Sequence, residues 1–215
     1  MALPLDVLAP GWCSLAPDGR LTPGSLPEDE PLPDTLVVVD LEMSGPNPQL
    51  HEVLEVGIIR VRLAPGFPEE AAWGARVRPR HIGNAHPAAL KVVGYSPRAW
   101  RDALELDAAV ARVAEMSSAA IVTGWGLAQD TAFLAEICRR SGVAWPFASL
   151  ALDIQLVARK ELGGTGAVDR FNLGHVADRL GIGRMGEHSA LADAYAAYDV
   201  LTCLVERAAQ RSLPA

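Results

Sequence analysis

Four branched apolar residues, Leu36-Val37-Val38-Val39, run directly into Asp40-Leu41-Glu42-Met43-Ser44-Gly45. Such a run after a proline-rich segment predicts a strand buried on both faces. A strand turns alternate side chains to opposite faces, so Asp40 and Glu42 share one side of the sheet. Two carboxylates then stand together where a buried strand leaves the core. Each raises the pKa of the other unless something positive lies between them. The usual positive object is a hard divalent cation, which takes oxygen ligands. The plainer reading ends the strand at Asp40 and leaves Glu42 solvated in the loop opened by Ser44-Gly45-Pro46. On this stretch alone the two readings stand level, and the rest of the chain decides between them.

A chain of 215 residues fits one domain, or one domain with an extension, and can bury a substantial core. No apolar run approaches the roughly 20 residues of a membrane span. The N-terminus lacks the basic flank and apolar run of a secretory signal, so a cytoplasmic protein is expected. Cys13, Cys138 and Cys203 are widely spaced with no CxxC, which fits a reducing compartment and argues against disulfides and a zinc site. The net charge of −7 argues against binding nucleic acid by bulk electrostatics. The charge is uneven, however. From Arg76 to Arg101 the bases are Arg76, Arg78, Arg80, Lys91, Arg98 and Arg101, and there is no acid. That is either an ordinary solvated face or local positive charge suited to a phosphate backbone.

Residues 1–33 carry seven prolines and no periodicity, and predict a loosely packed extension ahead of a domain over 34–215. Strands are predicted at Leu36–Leu41, Val53–Arg62 and Ala71–Val77, joined by short connections as an antiparallel meander. A helix is predicted from Pro97 to about Met116, a fourth strand at Ala119–Thr123, and a helix over Asp130–Arg140 ended by Gly142. Leu150–Val157 reads as a fifth strand, Asn172–Leu180 as a short helix closed by Gly181, and Ala190 to about Arg207 as the terminal helix. The expected architecture is α/β, a mixed five-stranded sheet with helices on both faces.

Later residues add to the carboxylate pair. Asp130 stands at the start of a helix, where Asp is a preferred N-cap, so a cap alone would account for it. His188 precedes the terminal helix and Asp193 falls in its first turns, on the side facing the sheet. Val93-Gly94-Tyr95 lies inside the acid-free segment, and His51, His81, His86 and His175 read as structural.

Asp-x-Glu ending the first strand, an Asp opening a helix after a later strand, and His-x4-Asp near the terminus resemble the DEDD exonuclease superfamily in its histidine-containing branch. This ribonuclease H-like group includes the proofreading epsilon subunit of bacterial DNA polymerase III, ribonuclease T and oligoribonuclease. The resemblance spans about residues 34–208, and Leu54-Glu55-Val56-Gly57-Ile58 also looks like the family's second strand. Two features depart from it. Gly126 stands where members often carry Asn. Gln129 and Asp-Leu-Glu-Met-Ser-Gly look like oligoribonuclease, whereas His-Ser-Ala-Leu-Ala-Asp-Ala looks like the epsilon type.

The resemblance implies a metal-dependent 3′–5′ exonuclease that releases nucleoside 5′-monophosphates from single-stranded 3′ ends, with DNA favoured over RNA. The alternatives are a stand-alone exoribonuclease or short-oligonucleotide hydrolase, and a non-catalytic nucleic-acid-binding relative. It also implies two Mg²⁺ or Mn²⁺ ions. Asp40 would bridge them, Glu42 and Asp193 would complete one site, Asp130 would hold the other, and His188 would be the general base. Met43, Val93, Gly94, Tyr95 and Trp125 match the segments that line the terminal-nucleotide pocket; Trp125 reads equally as a base-stacking platform or as core. The chain carries no tail like the one with which epsilon subunits grip a polymerase, which favours an enzyme acting alone. A homodimer is left open, and no membrane partner is expected.

Overall fold

The structure is a computed structural model that describes residues 5–26, 31–164, 168, 170–183 and 189–211. The chain opens with a helical turn α1 (Leu5–Leu8), a 3-10 turn, and strands β1 (Trp12–Leu15) and β2 (Leu21–Pro23). Strands β3 (Thr35–Met43), β4 (Val53–Arg62) and β5 (Glu69–Arg76) follow, then helices α2 (Pro87–Val93) and α3 (Leu106–Ser117). The remainder alternates: β6 (Ile121–Gly124), α4 (Ala128–Ser141), β7 (Leu150–Asp153), α5 (Ile154–Leu162), α6 (Leu173–Leu180) and α7 (Ala190–Arg211).

The strands form one mixed sheet in the order β2-β1-β7-β6-β3-β4-β5. β3 to β5 make the expected antiparallel meander, while β6 and β7 join in parallel on the other side of β3. The apolar run of β3 serves two cores at once. Leu36 and Val38 pack with Val157 of α5 and Val200, Leu201 and Leu204 of α7. Val37 and Val39 face the opposite way, toward Val110 and Val113 of α3 and Phe133 and Leu134 of α4. A strand with helices on both faces needs this unbroken apolar run, since neither of its sides meets water.

Three expectations are corrected. The sheet has seven strands where five were expected, because β1 pairs antiparallel with β7 and β2 with β1. Much of the segment read as a loose extension is therefore packed: Leu8 is fully buried and Trp12 is 2% exposed. Second, no helix begins at Pro97. The chain forms the short α2, whose ends are marked by Pro87 at its start and a left-handed Gly94 (φ 67°) at its close. It then makes single turns over 96–103 before α3. Leu104 stays extended because its N–H donates to the Arg76 carbonyl and its carbonyl accepts from the Arg78 N–H. Third, the fifth strand stops at Asp153, whose side chain accepts from the Gln155 N–H and caps α5. Among the described residues no helix is long and apolar enough to cross a membrane.

Candidate active site

The sheet positions the carboxylates through a difference in strand length. β6 pairs with β3 only as far as Val38, and Gly124 ends it beside the Val39 carbonyl. β3 runs on to Met43, so Asp40 and Glu42 emerge past the end of β6, opposite Gly57 and Glu55 of β4. Beyond that end the Leu41 N–H has lost its ladder neighbour on the β6 side, and a buried N–H must find another acceptor. Asp130 supplies it: its Oδ1 accepts from Leu41 at 3.2 Å. The plainer reading of Asp130 as a helix cap therefore does not hold, and the predicted helix start at Asp130 moves to Ala128. α4 begins at Ala128 with Leu127 as the flanking residue, so Asp130 lies inside the first turn, 8% exposed.

α7 approaches from the other face. A Cβ on Gly57 would lie 2.2 Å from the Ala190 carbonyl carbon and 2.3 Å from the Leu191 nitrogen. The missing side chain thus lets the start of α7 rest on the sheet beside Asp40. Ser189 fixes this approach, donating its hydroxyl to Glu55 Oε1 at 3.1 Å and accepting the Asp193 N–H on its carbonyl at 2.9 Å. Asp193 is thereby brought to the strand. One ligand oxygen each of Asp40, Glu42 and Asp193 lie within 4.8 Å of one another, all three residues partly exposed.

The electrostatics follow from this crowding. Burial, then the charges of Asp130, Asp193, Glu42 and Glu55, push the Asp40 carboxyl well above the usual carboxylate range. Burial raises Asp130 to about 7, against the opposing pull of the Leu41 N–H. Among the described residues the converging donors are oxygens, a set that suits Mg²⁺ or Mn²⁺. A cation there would offset the mutual repulsion of these carboxylates.

Beside Glu42 lies a groove of about 420 Å³. Gly45 and Pro46 of the loop after β3 form one wall, Ala88, Ala89, Val92 and Val93 of α2 another, with Met43, His86 and Gln129 between. The loop is held rigidly. Ser44 accepts the His86 N–H on its carbonyl and the Glu52 N–H on its hydroxyl, and Arg140 at the end of α4 donates to the carbonyls of Pro48, Gln49 and His51. Met43 and Val93 therefore lie on the groove. Gly94, Tyr95 and Trp125 are not among its lining residues. Gly94 caps α2, Tyr95 packs on Trp100 with ring centroids 5.1 Å apart, and Trp125 is half-buried against the α7-side core. His188 lies outside the described residues.

Several contributors escape the motif reading. His86, read as structural, lines the groove while its Nδ1 accepts from the Ala88 N–H at the start of α2. Asp153, 8% exposed, accepts from the N–H groups of Gly126, Leu127 and Gln155, and so ties the turn ahead of α4 to β7. Gly57 carried a legible signal, since an isolated glycine within a strand marks a close backbone approach. Ser189 lies in the His-Ser-Ala-Leu-Ala-Asp-Ala stretch, but its bond to Glu55, like those of Asp153 to Gly126 and Leu127, spans too much sequence to be read locally.

The exonuclease model RNase_T matches residues 37–201. A Mycobacterium tuberculosis protein named as a bifunctional exonuclease/endonuclease is 26% identical over 179 residues, covering 80% of this chain and 27% of that protein. Escherichia coli exonuclease I, solved with a dT13 oligonucleotide, superposes with a TM-score of 0.70 at 21% identity, over 83% of this chain and 42% of the other. A zinc-bound complex of the same exonuclease with single-stranded DNA gives a TM-score of 0.70 at 20% identity, over 81% and 41%. The chain thus spans under half the length of these solved structures and about a quarter of the mycobacterial protein. The exonuclease I likeness carries the fold, a ribonuclease H-like sheet with helices on both faces. The RNase_T match runs from the strand bearing Asp40 into the helix bearing Asp193, and on it the chain belongs to the exonuclease family, in the DEDD superfamily.

Proposed function

We propose that the chain is a 3′–5′ exonuclease of the histidine-containing branch, hydrolysing single-stranded nucleic acid, DNA favoured, to nucleoside 5′-monophosphates. The observation that carries this reading is the convergence of Asp40, Glu42 and Asp193 oxygens within 4.8 Å beside a groove walled by Met43 and Val93. The dT13 bound to exonuclease I supports a single strand as substrate.

Asp40, Glu42 and Asp193 would hold one divalent cation, and Asp130, set back on α4 and tied to Leu41, would serve a second. Mg²⁺ or Mn²⁺, when bound, supplies positive charge to the phosphate oxygens and makes water a stronger nucleophile. Every other part of the task falls to the chain. The apolar groove holds the terminal nucleotide and excludes water. His188 accepts the proton of the attacking water, imidazole being the side chain whose ordinary pKa lies nearest neutrality, a contribution typically worth about 10²–10⁴-fold.

The test is a 5′-labelled single-stranded DNA and its RNA counterpart, each with the 3′ end free or blocked, incubated with Mg²⁺, Mn²⁺ or chelator. Stepwise shortening of the free-ended strand alone, lost in chelator and in Asp40→Ala, supports the reading. Equal cutting of free and blocked strands, or full turnover in chelator, overturns it. Faster loss of RNA would move the assignment to the ribonuclease alternative. His188→Gln is expected to retain cation binding while losing most of its rate.

A further inference from the structure

The basic segment 76–101 has two kinds of member. Arg76 and Arg78 are consumed in the fold. The Arg76 guanidinium lies 4.6 Å from the centroid of the buried Trp100 ring and donates to the Ala99 carbonyl. Arg78 donates to the carbonyls of Arg101 and Ala103 and pairs with Glu105 at 2.8 Å. Arg80 has an acidic neighbour in Asp107, at 3.7 Å. Lys91, Arg98 and Arg101 differ: all three are exposed, and among the described residues none of their side chains has a hydrogen-bond or ion-pair partner.

Those three cations sit on the unit that walls the groove. Ala88 and Val92 of α2 line it. Lys91 follows Ala88, at one edge of the lining face, by three residues, and so lies about 60° beyond that edge around the helix axis, on the solvent side of α2. After Gly94 the chain turns back through Ser96, whose hydroxyl accepts the Ala99 N–H and whose carbonyl accepts the Trp100 N–H. This helical turn pins Trp100 inward, its indole donating to the Leu54 carbonyl at 3.0 Å. Arg98 and Arg101, three residues apart on the same turn, are left on the solvent side. Exposed long cations without partners are ordinarily offset by nearby acids. Here the acids nearest in sequence are Asp102 and Glu105, and Glu105 is engaged by Arg78, in a chain whose net charge is −7.

We infer that Lys91, Arg98 and Arg101 form a track for the phosphodiester backbone of a single strand whose 3′-terminal nucleotide occupies the groove. The inference rests on the exonuclease reading for the groove and adds the path of the strand behind it. The track follows backbone charge and carries no base readout, so it discriminates by length and not by sequence. It also reconciles an acidic protein with a polyanionic substrate: the acids surround the scissile bond, and the unpaired bases lie along the trailing strand.

The experiment compares the wild-type chain with Lys91→Ala/Arg98→Ala/Arg101→Ala. A dinucleotide and a 16-mer of the same sequence serve as substrates, and anisotropy of the labelled 16-mer in chelator reports binding without turnover. The expected result is a rise in KM for the 16-mer at least ten times larger than any change for the dinucleotide. The slope of log affinity against log salt should flatten by about 0.7 for each phosphate contact removed, about 2 in all. Arg98→Glu alone should shift KM in the same direction. An unchanged salt slope, equal losses on both lengths, or wild-type protein that prefers an acidic peptide to the 16-mer overturns the track. Wild-type protein that binds the 16-mer with the expected slope yet hydrolyses nothing keeps the track and removes the exonuclease reading beneath it.

Discussion

Gly57 lies directly beneath the backbone of Ala190, so close that a Cβ on the glycine would stand 2.2 Å from the Ala190 carbonyl carbon. Gly57 is also the register partner of Asp40. One missing methyl group thus sets the distance between the strand that carries Asp40 and the helix that carries Asp193.

Gly57→Ala should displace the first turn of α7 and separate Asp193 from Asp40. Overpacking of this kind costs about 1–3 kcal/mol, and a displacement near 1 Å can cost about 10²-fold in rate. Gly74 is the neighbouring control. It pairs with Gly57 across β4 and β5, and a Cβ there would stand 2.9 Å from the Leu191 Cβ, a milder overlap than the 2.2 Å approach to backbone at Gly57. Gly74→Ala should lose much less. Cation titration and nuclease assay of both variants decide the matter, and equal behaviour would remove the role given to Gly57.

Without cations, the protein should lose stability as pH rises. Asp40 is raised above its usual range and Asp130 stands at about 7, so between about 3.8 and 7 the folded state binds more protons than the unfolded one. Stability then falls with pH across that window. Glu136 works the other way, lowered to about 2 by its hydrogen bond to Arg139 and by Arg140, and its contribution is lost only below about pH 4.5. Melting in chelator between pH 5 and 7.5 therefore avoids the Glu136 window and reads the raised carboxyls, and Tm should decline. Mg²⁺ should restore it at pH 7.5, by about 2.7 kcal/mol at a hundred times its Kd. A Tm that climbs across this range in chelator would contradict the assigned crowding.

Asp153 should matter to the site without touching it. Its carboxylate accepts the N–H groups of Gly126 and Leu127 at 3.1 and 3.3 Å, and these residues lead into the helix that carries Asp130. Asp153→Asn turns an amide N–H₂ toward one of these donors. A buried donor left unpaired costs about 1–3 kcal/mol. The cation concentration needed for half-maximal rate should rise as well, which a purely structural defect would not produce. Unaltered cation dependence in a folded variant would sink this positioning role.

Trp12→Ala tests whether the N-terminal strands belong to the folding unit. Trp12 is 2% exposed and packs with Leu152, Val157 and Leu201 in one core. Removing such a side chain costs about 3–5 kcal/mol, a large part of a typical domain's stability. A loss under about 0.5 kcal/mol in chemical denaturation would return residues 5–26 to the status of a loose extension.

The sequence disclosed what local pattern can carry. The apolar run of β3 announced a strand buried on both sides, and Asp40 and Glu42 fall on one face of it because strand geometry leaves no choice. The helix ends at Gly142 and Gly181 were legible from the same kind of rule. What stayed hidden depends on partners far along the chain. β1 has no alternating pattern because its four residues are shaped by β7 on one side and β2 on the other. Leu104 sits in a helical apolar spacing, yet its bonds to Arg76 and Arg78 hold it extended. Asp130 looked like a cap because its acceptor role toward Leu41 spans 89 residues.

The two cores that meet at β3 give the site a mechanical meaning. Asp130 arrives with α4 from one layer of packed side chains and Asp193 with α7 from the other, with the sheet between them. Ions held between these carboxylates would act as a rivet through the sheet, fastening its two layers at the rim where the strands run out. Hydrogen exchange should then slow together at the start of α4 and the start of α7 when cations are added, although the two turns lie some sixty residues apart in the chain.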